Sequence, residues 1–358
     1  MTTLLDLPAR IVALEGDAAE RVAGLLDVAM IEGSAVPSPE LEPWVEATFG
    51  SVEAVRHQAI VRVTNRATLE STIFAPLRAR RPMDGAGAGD LAAEIAATEG
   101  DPFCHPETGT PAETDGRVRG RHMTTGANAA QADAHHAVLV FDRHDPLAFD
   151  AELVTDLLVT GRAWADRAHA ADPEATAYLL AWNCLWRAGG SIVHGHAQAV
   201  VGRGRPHAAV DRFVRDAAAH RAATGRHLVA DLVAAHRDLG LAVDADGVSV
   251  LAHLTPRKER EVLVVGPPDG DERDPAFAAA VTRALLAYRD RLEVRSFNLA
   301  LWRRPLGATE SRWDGIGPLV RLVDRGDLFS RSSDIGAMEL YGTPIVGSDP
   351  YEVVAALG

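Results

Sequence analysis

Two cysteines in 358 residues, Cys104 and Cys184, are too few for a disulfide framework and point to a reducing compartment. No apolar run reaches bilayer-spanning length, and the opening Met1-Thr-Thr-Leu-Leu-Asp-Leu-Pro8 lacks the basic stretch and apolar core of an export signal. A cytoplasmic protein is expected. Basic excess is also missing, since 36 Lys and Arg stand against 50 Asp and Glu, a net charge of −14. That balance excludes general nucleic-acid binding, which needs a basic field along the phosphate backbone. Any pocket for an anion must therefore be local. The glycine-rich Asp84-Gly-Ala-Gly-Ala-Gly-Asp90 has no strand pattern before it and no Lys-Ser/Thr after it, so it reads as a flexible linker rather than a phosphate cradle.

What the chain does carry is His194-Gly195-His196-Ala197-Gln198, entered through Ala188-Gly189-Gly190-Ser191. In an extended backbone, His194, His196 and Gln198 share one face while Gly195 and Ala197 occupy the other. A neutral imidazole is a competent nucleophile toward a phosphate ester, and a bond to its second nitrogen fixes the tautomer. His196, central in the triplet, is the candidate nucleophile. Gln198 can donate an amide N–H to a nonbridging phosphoryl oxygen but cannot protonate a leaving group. Departing phosphates, with a second pKa of about 6, need no such acid, whereas alcohols and amines do. The plain alternative is a strand with two chance histidines among 14.

The length exceeds that of a single core, so two structural units are expected. Residues 1–55 read as a mainly helical leader, with helical apolar spacing from Asp17 to Met30. A first α+β unit runs from 56 to 205, with strands predicted at Ala137–Phe141, Tyr178–Leu185 and His196–Val201 and a helix over 149–170. Residues 206–358 repeat the first unit faintly. Glu261-Val-Leu-Val-Val echoes Ala137-Val-Leu-Val-Phe, and Phe297-Asn-Leu-Ala-Leu-Trp302 echoes Tyr178-Leu-Leu-Ala-Trp-Asn183. The segment Gly317–Arg325, where a second histidine strand would fall, has no histidine.

Around the histidine motif the chain resembles the galactose-1-phosphate uridylyltransferase branch of the histidine-triad superfamily. Asn183, eleven residues before His194, and Ser191, three before it, stand at that family's spacings. Phe74-Ala-Pro-Leu-Arg78-Ala-Arg80-Arg81-Pro82 resembles its arginine segment. By that resemblance His196 is the nucleophile, Asn183 and Ser191 position phosphates, and Arg78 and Arg81 bind them. Guanidinium forks suit a diphosphate because they bind its oxygens bidentately and keep their charge; a solvated surface run is the alternative. The resemblance also implies a four-ligand metal site of Asp101, Cys104, His144 and His194. Asp101 departs from the family's Cys-x-x-Cys, and His105 is a substitute candidate. Such a closed shell of carboxylate, thiolate and imidazoles suits structural zinc. Asp334-Ile-Gly336-Ala-Met-Glu339 resembles the family's Gly-x-Glu segment, which implies a hexose contact for Glu339, sometimes across a homodimer.

The implied fold is α+β and histidine-triad-like, with two related halves, each an antiparallel-rich sheet with flanking helices. The implied activity is ping-pong transfer of a nucleoside monophosphate, UMP above all, between a nucleoside diphosphate sugar and a sugar 1-phosphate. Phosphorolytic adenylyl transfer on ADP-sugars or dinucleoside polyphosphates, nucleotide hydrolysis and non-catalytic ligand binding remain the alternatives.

Overall fold

The computed structural model describes residues 2–80, 89–205, 207–308, 310–333 and 335–358. Arg81 and the stretch 84–88 of the glycine-rich loop lie outside the described residues. Among the described residues thirteen strands run in chain order: β1 Leu26–Gly33, β2 Gln58–Asn65, β3 Ser71–Phe74, β4 Met123–Ala127, β5 His135–Phe141, β6 Ala175–Cys184, β7 His196–Arg203, β8 Ala242–Ala245, β9 Val248–Ala252, β10 Val262–Val265, β11 Phe297–Trp302, β12 Leu319–Asp324 and β13 Ile345–Val346.

Nine of them form one sheet in the order β4-β5-β7-β6-β11-β12-β10-β9-β8. The order carries an internal repeat. Hairpin β4-β5, helix Ala151–Ala171 and pair β6-β7 make the first half; hairpin β9-β10, helix Pro275–Asp290 and pair β11-β12 make the second. The halves join edge to edge through antiparallel β6 and β11, with Asn183 opposite Asn298 and Leu180 opposite Leu301. The expected α+β architecture of two related halves is what the chain adopts, with the two antiparallel half-sheets fused into one.

Strand alternation decides which face is core. On β6, Leu180, Trp182 and Cys184 are buried while Leu179, Ala181 and Asn183 are only half-buried. The buried face continues through Ala197, Ala199 and Val201 of β7 and Phe297, Leu299 and Leu301 of β11. It is covered by the apolar sides of helices Ala151–Ala171 and Pro275–Asp290, which bring Leu157, Trp164, Phe277 and Leu285 into the core. The Asp150 carboxylate caps the first of these helices at the Leu153 amide. At the seam between the halves Trp182 meets Phe141, Phe149 and Phe297 edge-on at 5.1–5.3 Å, a geometry aromatic rings favour. The opposite, half-buried face carries the polar residues.

The leader departs from its helical expectation. Helix Gly16–Leu25 stops where the chain turns into β1, which pairs with β2 from Leu26↔Asn65 to Gly33↔Gln58. Eight paired residues outweigh a helical apolar spacing that the sequence presents just as well. β1, β2, β3 and β13 make a small second sheet, β13 lying parallel to β3. The leader and the small sheet both pack on the second half: Arg21 of the leader pairs with Asp238 at 2.5 Å on helix Leu228–Asp238, and Thr72 of β3 donates to the Pro256 carbonyl at 2.6 Å.

Candidate active site

β7 begins at His196, so the motif straddles a loop and a strand. Gly189, at φ +91°, closes the turn after β6 in a conformation that costs glycine little. Leu185, in the same turn, holds φ +66° without that freedom, a strained backbone directly beyond Cys184. Gly195 is required for another reason. A Cβ there would lie 2.8 Å from the Phe141 ring and 3.0 Å from the Arg143 carbonyl, so the histidine strand approaches its neighbour too closely for a side chain.

The two motif histidines are held as opposite tautomers. His196 Nδ1 lies 2.8 Å from the His194 carbonyl, which can only accept, so Nδ1 carries the proton and Nε2 keeps a free lone pair. Burial pushes the His196 imidazole below its ordinary pKa and favours the neutral ring. Phe103 packs edge-on at 5.0 Å and fixes the ring plane. In His194 the pattern is reversed: Nε2 donates to the Phe141 carbonyl at 2.9 Å, leaving Nδ1 bare. His144 does the same, its Nε2 donating to the Ile95 carbonyl at 3.0 Å.

The bare His194 and His144 Nδ1 atoms then face each other at 3.1 Å, with Cys104 Sγ at 3.5 Å from His194 and 3.3 Å from His144, and Asp101 Oδ1 at 3.8 Å from His194. Asp101 Oδ1 already accepts the Phe103 and Cys104 amides, while its Oδ2 is buried without a partner. Two bare imidazole nitrogens 3.1 Å apart, beside a thiol and a carboxylate, repel each other unless a proton or a cation sits among them. Tetrahedral zinc with bonds of about 2.0–2.3 Å places ligands roughly 3.3–3.8 Å apart; three of these separations fall in that range and the 3.1 Å between the imidazoles is slightly shorter. The side chains that would hold the ion are Asp101, Cys104, His144 and His194, the one group of its kind among the described residues. Exposed His105 stands outside it. Hydrogen bonds from the ring nitrogens to backbone carbonyls are the outer support such ligands need.

Asn183 and Gln198 share the half-buried face with His196. Gln198 Oε1 faces His136 Nε2 at 3.2 Å. Asn128 Nδ2 also lies 3.2 Å from that nitrogen, but the Ala132 amide donates to His136 Nδ1 and so puts the ring proton on Nε2, toward Gln198. The Gln198 amide N–H2 is thereby turned away from His136. His136 was not singled out in the sequence; its partner lies across a strand pair, which spacing along the chain does not reveal. Ser191 is exposed in the loop before the strand, and Arg78 is exposed on the short helix Pro76–Arg80 with no partner among the described residues. Glu339 is elsewhere. It pairs with Lys258 at 2.7 Å in a cavity of about 720 Å³ lined by Glu70, Arg212, Arg257 and Trp302, and no residue of the histidine strand lines that cavity.

No family model and no curated protein sequence matches the chain. Solved structures do. An ADP-glucose phosphorylase from Arabidopsis thaliana with bound ADP-glucose superposes with TM-score 0.64 at 16% identity, over 83% of this chain and 98% of that one. A GalT-like protein from the same plant gives 0.59 at 16% identity, over 73% and 92%. A uridylyltransferase gives 0.56 at 14% identity, over 83% and 96%. The chain thus has the fold of these proteins, the two-half histidine-triad-like fold that the resemblance implied.

Proposed function

We propose that the protein transfers a nucleoside monophosphate between phosphate-bearing partners through a covalent bond to His196. The observation that carries this reading is the His196 tautomer: a buried, neutral ring whose Nδ1–H is committed to the His194 carbonyl, leaving Nε2 as a bare nucleophile. The Nε2 lone pair attacks the α-phosphorus of a nucleoside diphosphate sugar, an N–P bond forms, and the bridging P–O bond breaks. The electron pair leaves on the sugar 1-phosphate, which needs no proton. In the second half-reaction an oxygen of a phosphate-bearing acceptor attacks the same phosphorus, and the N–P electrons return to Nε2.

Gln198, Asn183 and Ser191 are assigned to the nonbridging oxygens, where charge shifts during transfer. Arg78 and Arg81 are assigned to the diphosphate. The metal group would hold the loop of Asp101 and Cys104 against His194, two residues from the nucleophile; bound zinc would supply a structural cross-link. Glu339 is assigned a sugar hydroxyl. Its distance in sequence and its separate cavity suit service to a second copy of the chain, as the resemblance implied for a homodimer.

Uridylyl transfer to and from a hexose 1-phosphate is the reading the family resemblance implies. Adenylyl transfer from an ADP-sugar to inorganic phosphate is the second, favoured by the overlap with the ADP-glucose phosphorylase. Hydrolysis is disfavoured, since an amide, Gln198, stands where a third histidine would supply a proton. Isotope exchange separates these readings. Labelled glucose 1-phosphate should exchange into UDP-glucose with no other acceptor present, or labelled phosphate into ADP. Exchange into neither, with water-dependent release of UMP or AMP, would overturn transfer in favour of hydrolysis.

A further inference from the structure

In the second half β12, the counterpart of β7, carries no histidine, yet that half meets the face of the candidate centre at the seam. β6 and β11 pair with Asn183 directly opposite Asn298, both on the half-buried face. Asn298 Nδ2 donates to Asn183 Oδ1 at 2.7 Å and to the Ala188 carbonyl at 2.8 Å. On its other side, the Arg325 guanidinium donates to Asn298 Oδ1. Amide oxygen and nitrogen are told apart only by their partners, and here both partners are unambiguous: a carbonyl can only accept, a guanidinium only donate. The Asn298 amide therefore has a single allowed orientation, nitrogen toward Asn183. Asn183 must answer with its oxygen. Its own Nδ2 is left without a partner among the described residues, turned from the seam on the face that bears His196 and Gln198.

We infer that Asn298, held by Arg325, is a positioning residue: it fixes which end of the Asn183 amide faces the transferred phosphoryl group. This rests on the nucleotidyl-transfer reading above. A freely rotating Asn183 would present its oxygen to the phosphate for part of the time, and an oxygen there repels the charge it is meant to receive. The same device recurs at Gln198, whose oxygen is taken by His136. Both amides of the face are thus held by the carbonyl end with the N–H2 end free. At Asn183 the holding group comes from the half that lacks the histidine motif, which gives that half a role in the candidate centre.

The variant Asn298→Asp tests this. An aspartate keeps the acceptor for Arg325 but offers oxygen to Asn183, so the Asn183 amide turns over and directs its own oxygen at the phosphate. The rate of nucleotidyl-protein formation should fall roughly 10–100-fold, the usual effect of losing a group that orients a functional one, and Asn298→Ala should fall less. The discriminating readout is a double-mutant cycle. With Asn183→Ala already in place, Asn298→Asp should change the labelling rate less than two- to three-fold, because no amide remains to turn over. Equal losses in both backgrounds would mean a general structural effect and would overturn the inference, as would an unchanged rate in Asn298→Asp alone. Absence of labelling and of exchange in the unsubstituted protein would instead overturn the nucleotidyl-transfer reading and this inference together. Thermal unfolding of each variant separates misfolding from misorientation. If Asn298→Asp unfolds, the comparison passes to Asn298→Ala and Asn298→Ser, and equal effects of these with and without Asn183 would equally overturn it.

Discussion

At the scale of single residues, the candidate centre depends on hydrogen atoms whose positions follow from carbonyl partners. His194 and His196 are two residues apart on one face, yet the backbone assigns them opposite tautomers: Nδ1 bare in one and Nε2 bare in the other. On the proposed reading, one imidazole serves as a ligand and the other as the nucleophile without any difference in residue type. Gly195 between them is fixed by space. Gly195→Ala should destabilise the protein by about 1–3 kcal/mol, the usual range for overpacking, seen as a lower urea midpoint with an unchanged slope. An unchanged midpoint would mean that Phe141 yields freely. The motif itself was legible because a period of two is visible in one dimension. His136 and Asn298 were not, since each acts through register across strands, and Asn298 sits in a segment that only echoes the first half.

Among the elements, the helices and strands flanking the motif follow their apolar patterns closely. The predicted strand Tyr178–Leu185 appears as Ala175–Cys184, and the predicted helix over 149–170 as Ala151–Ala171. The leader strand β1 was hidden because its ladder partner lies beyond residue 57 and its apolar spacing also suits a helix. Helix Leu228–Asp238 carries a second legible consequence. His236 is fully enclosed, donating from Nδ1 to the Leu232 carbonyl at 2.8 Å and accepting the Leu254 amide at Nε2 at 3.2 Å. It stacks on His253, and burial lowers its pKa to about 3. Below the unfolded value of about 6.5 the unfolded chain binds a proton that the folded chain refuses, so this neutral ring costs stability as pH falls from about 6.5 toward 3. The slope from one proton is at most about 1.4 kcal/mol per pH unit. His236→Gln should flatten that part of the stability curve in urea titrations at stepped pH. Identical slopes in both proteins would show that His236 is not the group refusing the proton.

For the whole molecule, two features tie distant parts of the chain together. The fused sheet makes β6 and β11 one seam, so the half without the histidine motif supports the half that has it. The candidate metal group brings the segment at Asp101 and Cys104 together with His144 and His194. About one zinc per chain is expected by elemental analysis. Cys104→Ser or His144→Ala should bring it close to zero and lower the melting temperature, and chelator treatment of the unsubstituted protein should lower it likewise. Metal content that ignores both substitutions would contradict the assignment. The Asp101 position was the least regular part of the motif in sequence, and the unpartnered buried Oδ2 is a three-dimensional fact that spacing does not carry. The base and the sugar were equally illegible, because they depend on loops brought together from separate segments.

The central claim is the covalent role of His196, and the direct measurement is intact-protein mass after brief incubation with UDP-, ADP- and GDP-sugars, followed by peptide mapping. A mass increase of one nucleoside monophosphate, stable in base, labile in acid, located on His196 and lost in His196→Ala, is the expected result. Persistence of the adduct in His196→Ala, or its location on another residue, would contradict it.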